Sequence, residues 1–215
     1  ATAVVPIYMQ IWTEKGAYAT QVFLRKALKS YLLLAIPLVF GCIALREDLL
    51  NVLASQKFLE GSAVIPWALA GMMLNGALPI LAAGMYIHKK TGKLVGILAL
   101  AIAANIAINL WAIPVWGIRG AAVSKLLCFT ILVALAAHSS TRDLDFRIPW
   151  KSALHYTAAA ALMYAVLSLI EIANPLLSLA VEIIAGAAVY FAIVWFVEPS
   201  VREQIHAVLK KIKLR

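Results

Sequence analysis

Three polar side chains lie inside apolar segments of this chain, where they could bind an anionic or polar group. Lys125 falls within the apolar run 121–137, and Asn105 and Asn109 fall within the run 94–113. A charge in hydrocarbon costs at least about 2.5 kcal/mol, so such a residue usually faces a bundle interior or a water-filled path. These residues therefore mark the candidate functional site.

Three further polar residues extend this site. Asn75 lies near the middle of its own apolar run, Arg119 precedes Lys125 at the mouth of the same run, and Glu182 lies inside the last run. Counting at about 1.5 Å per helical residue brings Glu182 to a depth similar to that of Lys125 and the two other asparagines. The predicted set is Lys125, Arg119, Asn105, Asn109 and Asn75 for substrate binding, with Glu182 as charge partner or ion-coupling residue.

Two interpretations of this set remain open. In the structural one, Lys125 pairs with Glu182, and the asparagines join helices by hydrogen bonds worth roughly 0.6–2 kcal/mol each. In the functional one, Lys125 and Arg119 line a cationic cavity, because an ammonium is a good counter-ion for phosphate. The two are compatible, since Glu182 could neutralise Lys125 until a substrate displaces it.

Composition identifies the class of protein. Hydrophobic residues make up 64% of the chain and charged residues 13%, with a mean hydropathy of +0.91. Soluble domains contain roughly 45–50% apolar and about 25% charged residues. The chain is therefore predicted to be an integral membrane protein. Its two cysteines, Cys42 and Cys128, lie in apolar runs without metal-ligand spacing, so we expect neither a metal site nor a cofactor.

The apolar runs predict an all-α, polytopic transmembrane helix bundle with six full spans, since a span needs about 20 mostly apolar residues. Residues 1–12 resemble half a span, which suggests a fragment without its N-terminal part. The predicted spans are residues 31–45, 63–87, 94–113, 121–137, 153–172 and 176–197. The predicted organisation is a truncated helix and basic cytoplasmic loop (1–29), a four-helix part (30–138), a cytoplasmic loop (139–151), a last helix pair (152–197) and a basic cytoplasmic tail (198–215).

The basic residues predict the orientation. Fifteen of the 19 Lys and Arg residues fall on the side that carries the C-terminus, and three fall in the opposite loops. Cytoplasmic loops are enriched in Lys and Arg, so the C-terminus is predicted to be cytoplasmic. The net charge of +9 reflects this topology, and no nucleic-acid partner is needed to explain it. Trp67, Trp111 and Trp116 are predicted anchors at the outer interface.

The chain carries no enzyme signature of the GxSxG, HExxH or Walker type. Asp143 and Asp145 lie close together, but Arg142 and Arg147 flank them, which favours a charged loop over a metal site. We therefore predict that the protein is not an enzyme.

Several motifs in the first two thirds of the chain are familiar. Pro6 and Tyr8 precede a WTEKG turn, and LAIPL, IPWALAGMMLNG and YIHKKTGKL follow. The most specific is NIAINLWAIPVWGIRGAA, from Asn105 to Ala122, with Lys125 just beyond it. Together these motifs resemble the C-terminal half of polysaccharide-biosynthesis transporters, in the superfamily of multidrug/oligosaccharidyl-lipid/polysaccharide exporters. That family includes O-antigen-type and lipid II flippases.

The resemblance implies a function. Family members have two six-helix lobes that give alternating access to a central, often cationic cavity. The implied substrate is a polyprenyl-diphosphate-linked oligosaccharide, flipped from the cytoplasmic to the outer leaflet during cell-surface polysaccharide synthesis. The implied location is the bacterial inner membrane. The implied partners are membrane lipids and the N-terminal lobe of the same protein, which is absent here, with glycan polymerases and glycosyltransferases as further candidates.

Two rival functions are weighed against flipping. A drug or cation antiporter of the same superfamily would need a membrane-embedded carboxylate, for which Glu182 is the candidate. A non-transporting scaffold for a glycan-synthesis complex would tolerate replacement of Lys125 by Leu or Met.

Overall fold

The computed structural model describes residues 3–53, 61–170 and 174–198, and their regular structure is helical throughout. Helices form because the apolar runs must satisfy their backbone hydrogen bonds within the segment. In chain order the helices are α1 (Val4–Ala44), α2 (Arg46–Leu53), α3 (Ile65–Leu81), α4 (Ala83–Ile87), α5 (Thr91–Leu144), α6 (Trp150–Leu167) and α7 (Pro175–Val197). The predicted all-α class is confirmed.

Two of the long helices contain a sharp change of direction at a glycine. Gly16 in α1 has φ 75° and Gly117 in α5 has φ 56°. Glycine adopts positive φ without the steric penalty that other residues meet. Helix α5 therefore consists of a first arm, residues 91–116, and a second arm, residues 118–144.

The two arms of α5 contain the third and fourth predicted spans, 94–113 and 121–137, and form a helical hairpin. A Cβ at Gly120 would collide with the carbonyl group of Ala112, so the chain passes very close to itself beside Gly117. Further along the arms, Ala101 and Leu132 are buried in the same hydrophobic cluster. A straight helix would separate them by about 46 Å, so the arms are folded against each other.

Four helical segments are long and apolar enough to cross a membrane: Val4–Ala44, Gly61–Ile87, Thr91–Leu144 and Leu176–Val197. Because Thr91–Leu144 contains the hairpin, it accommodates two of the predicted spans. The chain is therefore a polytopic membrane helix bundle. The fifth predicted span overlaps α6, which runs from Trp150 to Leu167 and is not among these four segments.

The predicted boundaries differ from the structure in two loops. Most of the predicted loop 139–151 is helical, because α5 continues to Leu144 and α6 begins at Trp150. The stretch 18–29, part of the predicted cytoplasmic loop, is helix continuous with the first predicted span. Leu24 and Leu28 are buried there, and their burial favours helix over a solvated loop. The tail from residue 199 lies outside the described residues.

The chain divides into two compact units. Unit 1 comprises residues 1–31 and 60–149. The hydroxyl of Tyr31 donates to the carbonyl oxygen of Met73 at 2.7 Å, and the backbone N–H of Gly84 donates to Oγ of Ser140 at 2.7 Å. Its core brings α4 and the junction between α3 and α4 against both arms of α5 through the buried residues Ala82, Met85, Ile97, Ala101, Leu132 and Ala136. Leu78 of α3 packs against this cluster.

Unit 2 comprises residues 32–59 and 150–215. Within it, the hydroxyl of Tyr190 donates to the carbonyl oxygen of Leu33 at 2.9 Å. Gly186 of α7 lets the side chain of Leu167 approach its backbone, as small residues do between membrane helices. Asn174 caps α7 by accepting hydrogen bonds from the N–H groups of Leu176 and Leu177.

Candidate functional site

The two asparagines of the first arm of α5 contact each other. Nδ2 of Asn109 donates to Oδ1 of Asn105 at 3.1 Å, as the spacing of four residues allows. Both side chains are half-buried, and Oδ1 of Asn109 is buried without a hydrogen-bond partner among the described residues. The bond orients both amides on one face of the arm and leaves an acceptor available on Asn109.

Lys125 lies on the second arm of α5 and its side chain is exposed. Its ammonium lies 6.0 Å from the centre of the Phe129 ring, within range of a cation–π interaction. No carboxylate among the described residues of unit 1 forms an ion pair with Lys125. The ammonium is thus the kind of positive charge that an anionic group could contact.

Arg119 lines an open cavity of about 600 Å³ in unit 1. Val123 lines the same cavity and lies four residues further on, so it shares the helix face of Arg119. Lys125 lies two residues beyond Val123, which is about 200° further around the helix. The side chains of Arg119 and Lys125 therefore leave the second arm on different faces. That both residues line one cationic cavity stays a prediction.

Glu182 is buried in α7 with 7% of its surface exposed. Its Oε1 accepts a hydrogen bond from Oγ of Ser178, one turn earlier, at 2.7 Å. A buried carboxylate requires such partners, because an unpaired polar group in an apolar environment is costly. Glu182 belongs to unit 2 and Lys125 to unit 1, and their pairing stays a prediction.

Glu182 also borders an apolar cavity of about 400 Å³ within unit 2. Met163 and Leu167 of α6 line it, together with residues of α1, α2 and α7 such as Pro37, Leu49 and Ile183. The lining is almost entirely hydrocarbon apart from the carboxylate. Such a site can hold an aliphatic group beside a single acidic side chain.

The remaining sequence-predicted residues lie elsewhere. Asn75 is exposed on α3 and lines neither cavity. Among the residues that the structure describes, no three His, Cys, Asp or Glu side chains are grouped as metal ligands.

Asp143 accepts a hydrogen bond from Nζ of Lys90 at 2.6 Å, beyond the predicted span 121–137. This bond holds the pKa of Asp143 below its usual value.

Two features of the site were missed by sequence reasoning. Trp67 and Trp116 line the cavity of Arg119, whereas the sequence suggested membrane anchors alone. Ser178 is the hydrogen-bond partner of Glu182, and its spacing of four residues was a visible signal. No sequence pattern indicated that Trp67 and Arg119 line the same cavity, because the two residues lie 52 positions apart in the chain.

No family model matches the chain. A curated protein from Haloferax volcanii, the probable low-salt glycan biosynthesis flippase Agl15, is 23% identical over 172 residues. The match covers 78% of this chain and 36% of that protein, so the chain spans about one third of the relative's length.

The fold resembles a solved structure. The lipid II flippase MurJ, in an inward closed conformation, matches with a TM-score of 0.74 and 20% identity. The match covers 93% of this chain and 43% of the MurJ chain. The resemblance seen in the motifs is therefore confirmed: the chain is similar in sequence to a probable glycan biosynthesis flippase and has the fold of part of a lipid II flippase.

Proposed function

We propose that this chain is part of a transporter that flips a polyprenyl-diphosphate-linked oligosaccharide from the cytoplasmic to the outer leaflet. The observation that carries the proposal is the fold, which matches a lipid II flippase over 93% of the chain with a TM-score of 0.74. The sequence relative is also named as a flippase of glycan biosynthesis. The similar proteins are transporters, which agrees with a non-enzymatic role.

Lys125 is the proposed contact for the diphosphate. It is an exposed ammonium without an ion pair in the described part of unit 1, and a phosphate is its natural counter-ion. Asn105 and Asn109 would add amide hydrogen bonds from the neighbouring arm. Asn75 and Arg119 are proposed to contact the substrate apart from Lys125, since Arg119 leaves the second arm on another face. Glu182 is the proposed ion-coupling residue.

The proposed setting is the inner membrane, with the C-terminus in the cytoplasm, because most basic residues fall on that side. Alternating access needs two lobes, so we infer that a second lobe completes the transporter. Glycan polymerases and glycosyltransferases are the proposed functional neighbours, since they would consume and supply the lipid-linked glycan.

The test is deletion of the gene in its own host, followed by measurement of surface polysaccharide and of cell-associated lipid-linked oligosaccharide. We expect loss of surface glycan together with accumulation of the lipid-linked precursor, because synthesis continues while translocation stops. Unchanged glycan with new sensitivity to cationic drugs would instead indicate an antiporter.

Complementation with variants then tests the site. Lys125→Ala at normal protein level should reduce export at least tenfold, whereas Lys125→Arg should retain part of it, because the positive charge remains. Lys26→Ala, at an exposed lysine of α1, is the matched control and should export normally. Full export by Lys125→Ala would refute the role of this lysine.

A further inference from the structure

The cavity of Arg119 lies where α3 begins and where α5 reverses direction. Its lining comes from the turn before α3, from the start of α3 and from both arms of α5. The volume of about 600 Å³ falls within the usual range of small-molecule sites, roughly 300–1,000 Å³. The lining residues are Ala63, Trp67, Val115, Trp116, Arg119 and Val123.

Arg119 supplies a positive charge to this cavity. Its side chain is exposed, and no carboxylate in the described part of unit 1 forms an ion pair with it. A guanidinium has five donors in a planar fork, and this geometry matches the oxygens of a phosphate. The cavity therefore has an unused donor set suited to a phosphate group.

Two indole rings accompany the guanidinium. Trp67 is 43% exposed and Trp116 is 51% exposed, so both rings have free surface. Trp111 packs edge-to-face against Trp116, with ring centres 5.3 Å apart and planes at 72°. Trp116 therefore packs against a second indole of the same arm. The face of an aromatic ring is electron-rich and attracts the polarised C–H groups of an apolar sugar face.

We propose that Arg119, Trp67 and Trp116 form a binding site for a glycosyl phosphate. The guanidinium contacts the phosphate, and the indoles stack against the adjoining sugar ring. This inference rests on the proposed function, because a sugar joined to phosphate is the head group of a lipid-linked glycan. The site is separate from Lys125, which leaves the second arm on another face. It lies at the end of unit 1 that the basic residues predict to be outer, so it would hold the head group after translocation.

A phospholipid head group is the other source of phosphate at such a position, because Trp and Arg also occur as anchors at membrane interfaces. The two sources differ in the sugar. A site built for a glycosyl phosphate should gain affinity from the sugar ring, and a site built for a phospholipid should not.

The test is binding to the purified protein in phosphatidylcholine nanodiscs, measured by ligand-observed NMR. The probes are glucose 1-phosphate, inorganic phosphate and methyl glucoside. We expect glucose 1-phosphate to bind at least tenfold more tightly than either fragment, with saturation transfer to its ring C–H protons. Equal binding of inorganic phosphate and glucose 1-phosphate would overturn the proposal and leave a simple phosphate site.

Variants show which residues bind the phosphate and which bind the sugar ring. Arg119→Gln should reduce the affinity for glucose 1-phosphate to that for methyl glucoside, and Trp67→Leu should reduce it towards that for inorganic phosphate. Trp116→Phe keeps an aromatic ring and should retain part of the affinity. The matched controls are Trp150→Ala, at an exposed tryptophan of unit 2, and Arg25→Gln, at an exposed arginine of α1.

The outcomes separate this inference from the proposed function. Binding that is unaffected by Arg119→Gln and Trp67→Leu, or reduced equally by the controls, refutes the site. If gene deletion still causes accumulation of the lipid-linked precursor, flipping stands without this site. Conversely, tight and variant-sensitive binding without accumulation in the deletion strain would keep the site and refute the flipping function.

Discussion

The backbone of Gly120 lies directly against the carbonyl group of Ala112, although eight residues separate them in the chain. The contact exists because α5 reverses at Gly117, whose φ of 56° favours glycine. It brings the two arms together near the turn. The polar residues of both arms, and the cavity of Arg119, depend on this approach.

Replacement of Gly120 by Ala should therefore destabilise the hairpin. The added Cβ has no room beside Ala112, and overpacking of this kind costs about 1–3 kcal/mol. We expect a lower midpoint of thermal unfolding in detergent. Gly96→Ala is the matched control, because open space surrounds that helical glycine, and alanine is favoured over glycine in helices by up to about 1 kcal/mol. Equal midpoints for the two variants would contradict the close approach.

Replacement of Tyr190 by Phe should lower the free energy of unfolding of unit 2. The variant removes only the hydroxyl that donates to Leu33 at 2.9 Å and leaves the buried ring in place. Hydrogen bonds of this kind contribute roughly 0.5–1.5 kcal/mol. Chemical unfolding should detect a loss of that size. Tyr18→Phe, at a ring that is 79% exposed, should leave the unfolding free energy unchanged.

Replacement of Glu182 by Gln should show whether export needs the negative charge of this side chain or only its size. Glu182→Gln keeps the size of the side chain and the acceptor for Ser178, so the protein should fold normally. If Glu182 couples transport to an ion, this variant should lose at least tenfold in glycan export, while Ser178→Ala loses less. Export at the original level by Glu182→Gln, with normal protein level, would remove Glu182 from the transport cycle.

The ion pair of Lys90 and Asp143 should make a small, pH-dependent contribution to stability. Because the bond lowers the pKa of Asp143 in the folded protein, its stabilisation is present above the unfolded pKa of about 3.9 and is lost as the pH falls through the lower folded value. Lys90→Met should therefore lower stability at pH 7 by roughly 1 kcal/mol, because Lys90 is exposed and Asp143 is half-buried.

A double-mutant cycle with Asp143→Asn measures this pair. The coupling should diminish below about pH 3.9 and in high salt, because protonation removes the charge and salt screens it. A coupling that is unchanged by salt would indicate a packing effect in place of an ion pair.

The sequence by itself determined the class of fold. Apolar runs and their lengths predict membrane helices, because the transfer of each side chain into hydrocarbon contributes locally and independently of its partners. The hairpin was predictable for the same reason, since Pro114, Gly117 and Gly120 interrupt two apolar runs. The polar candidates, Lys125 and Glu182 among them, were visible because charge is rare in such runs.

Only the tertiary structure decided which side chains meet. The contact of Tyr31 with Met73 and the shared cavity of Trp67 and Arg119 depend on how each helix is rotated and where it begins. The turn at Gly117 brings both arms of α5 to that cavity, and one residue of helix changes the direction of a side chain by about 100°. The amino-acid composition of a helix does not specify how the helix is rotated. A sequence therefore specifies the helices of this protein, whereas the packing between them forms its cavities.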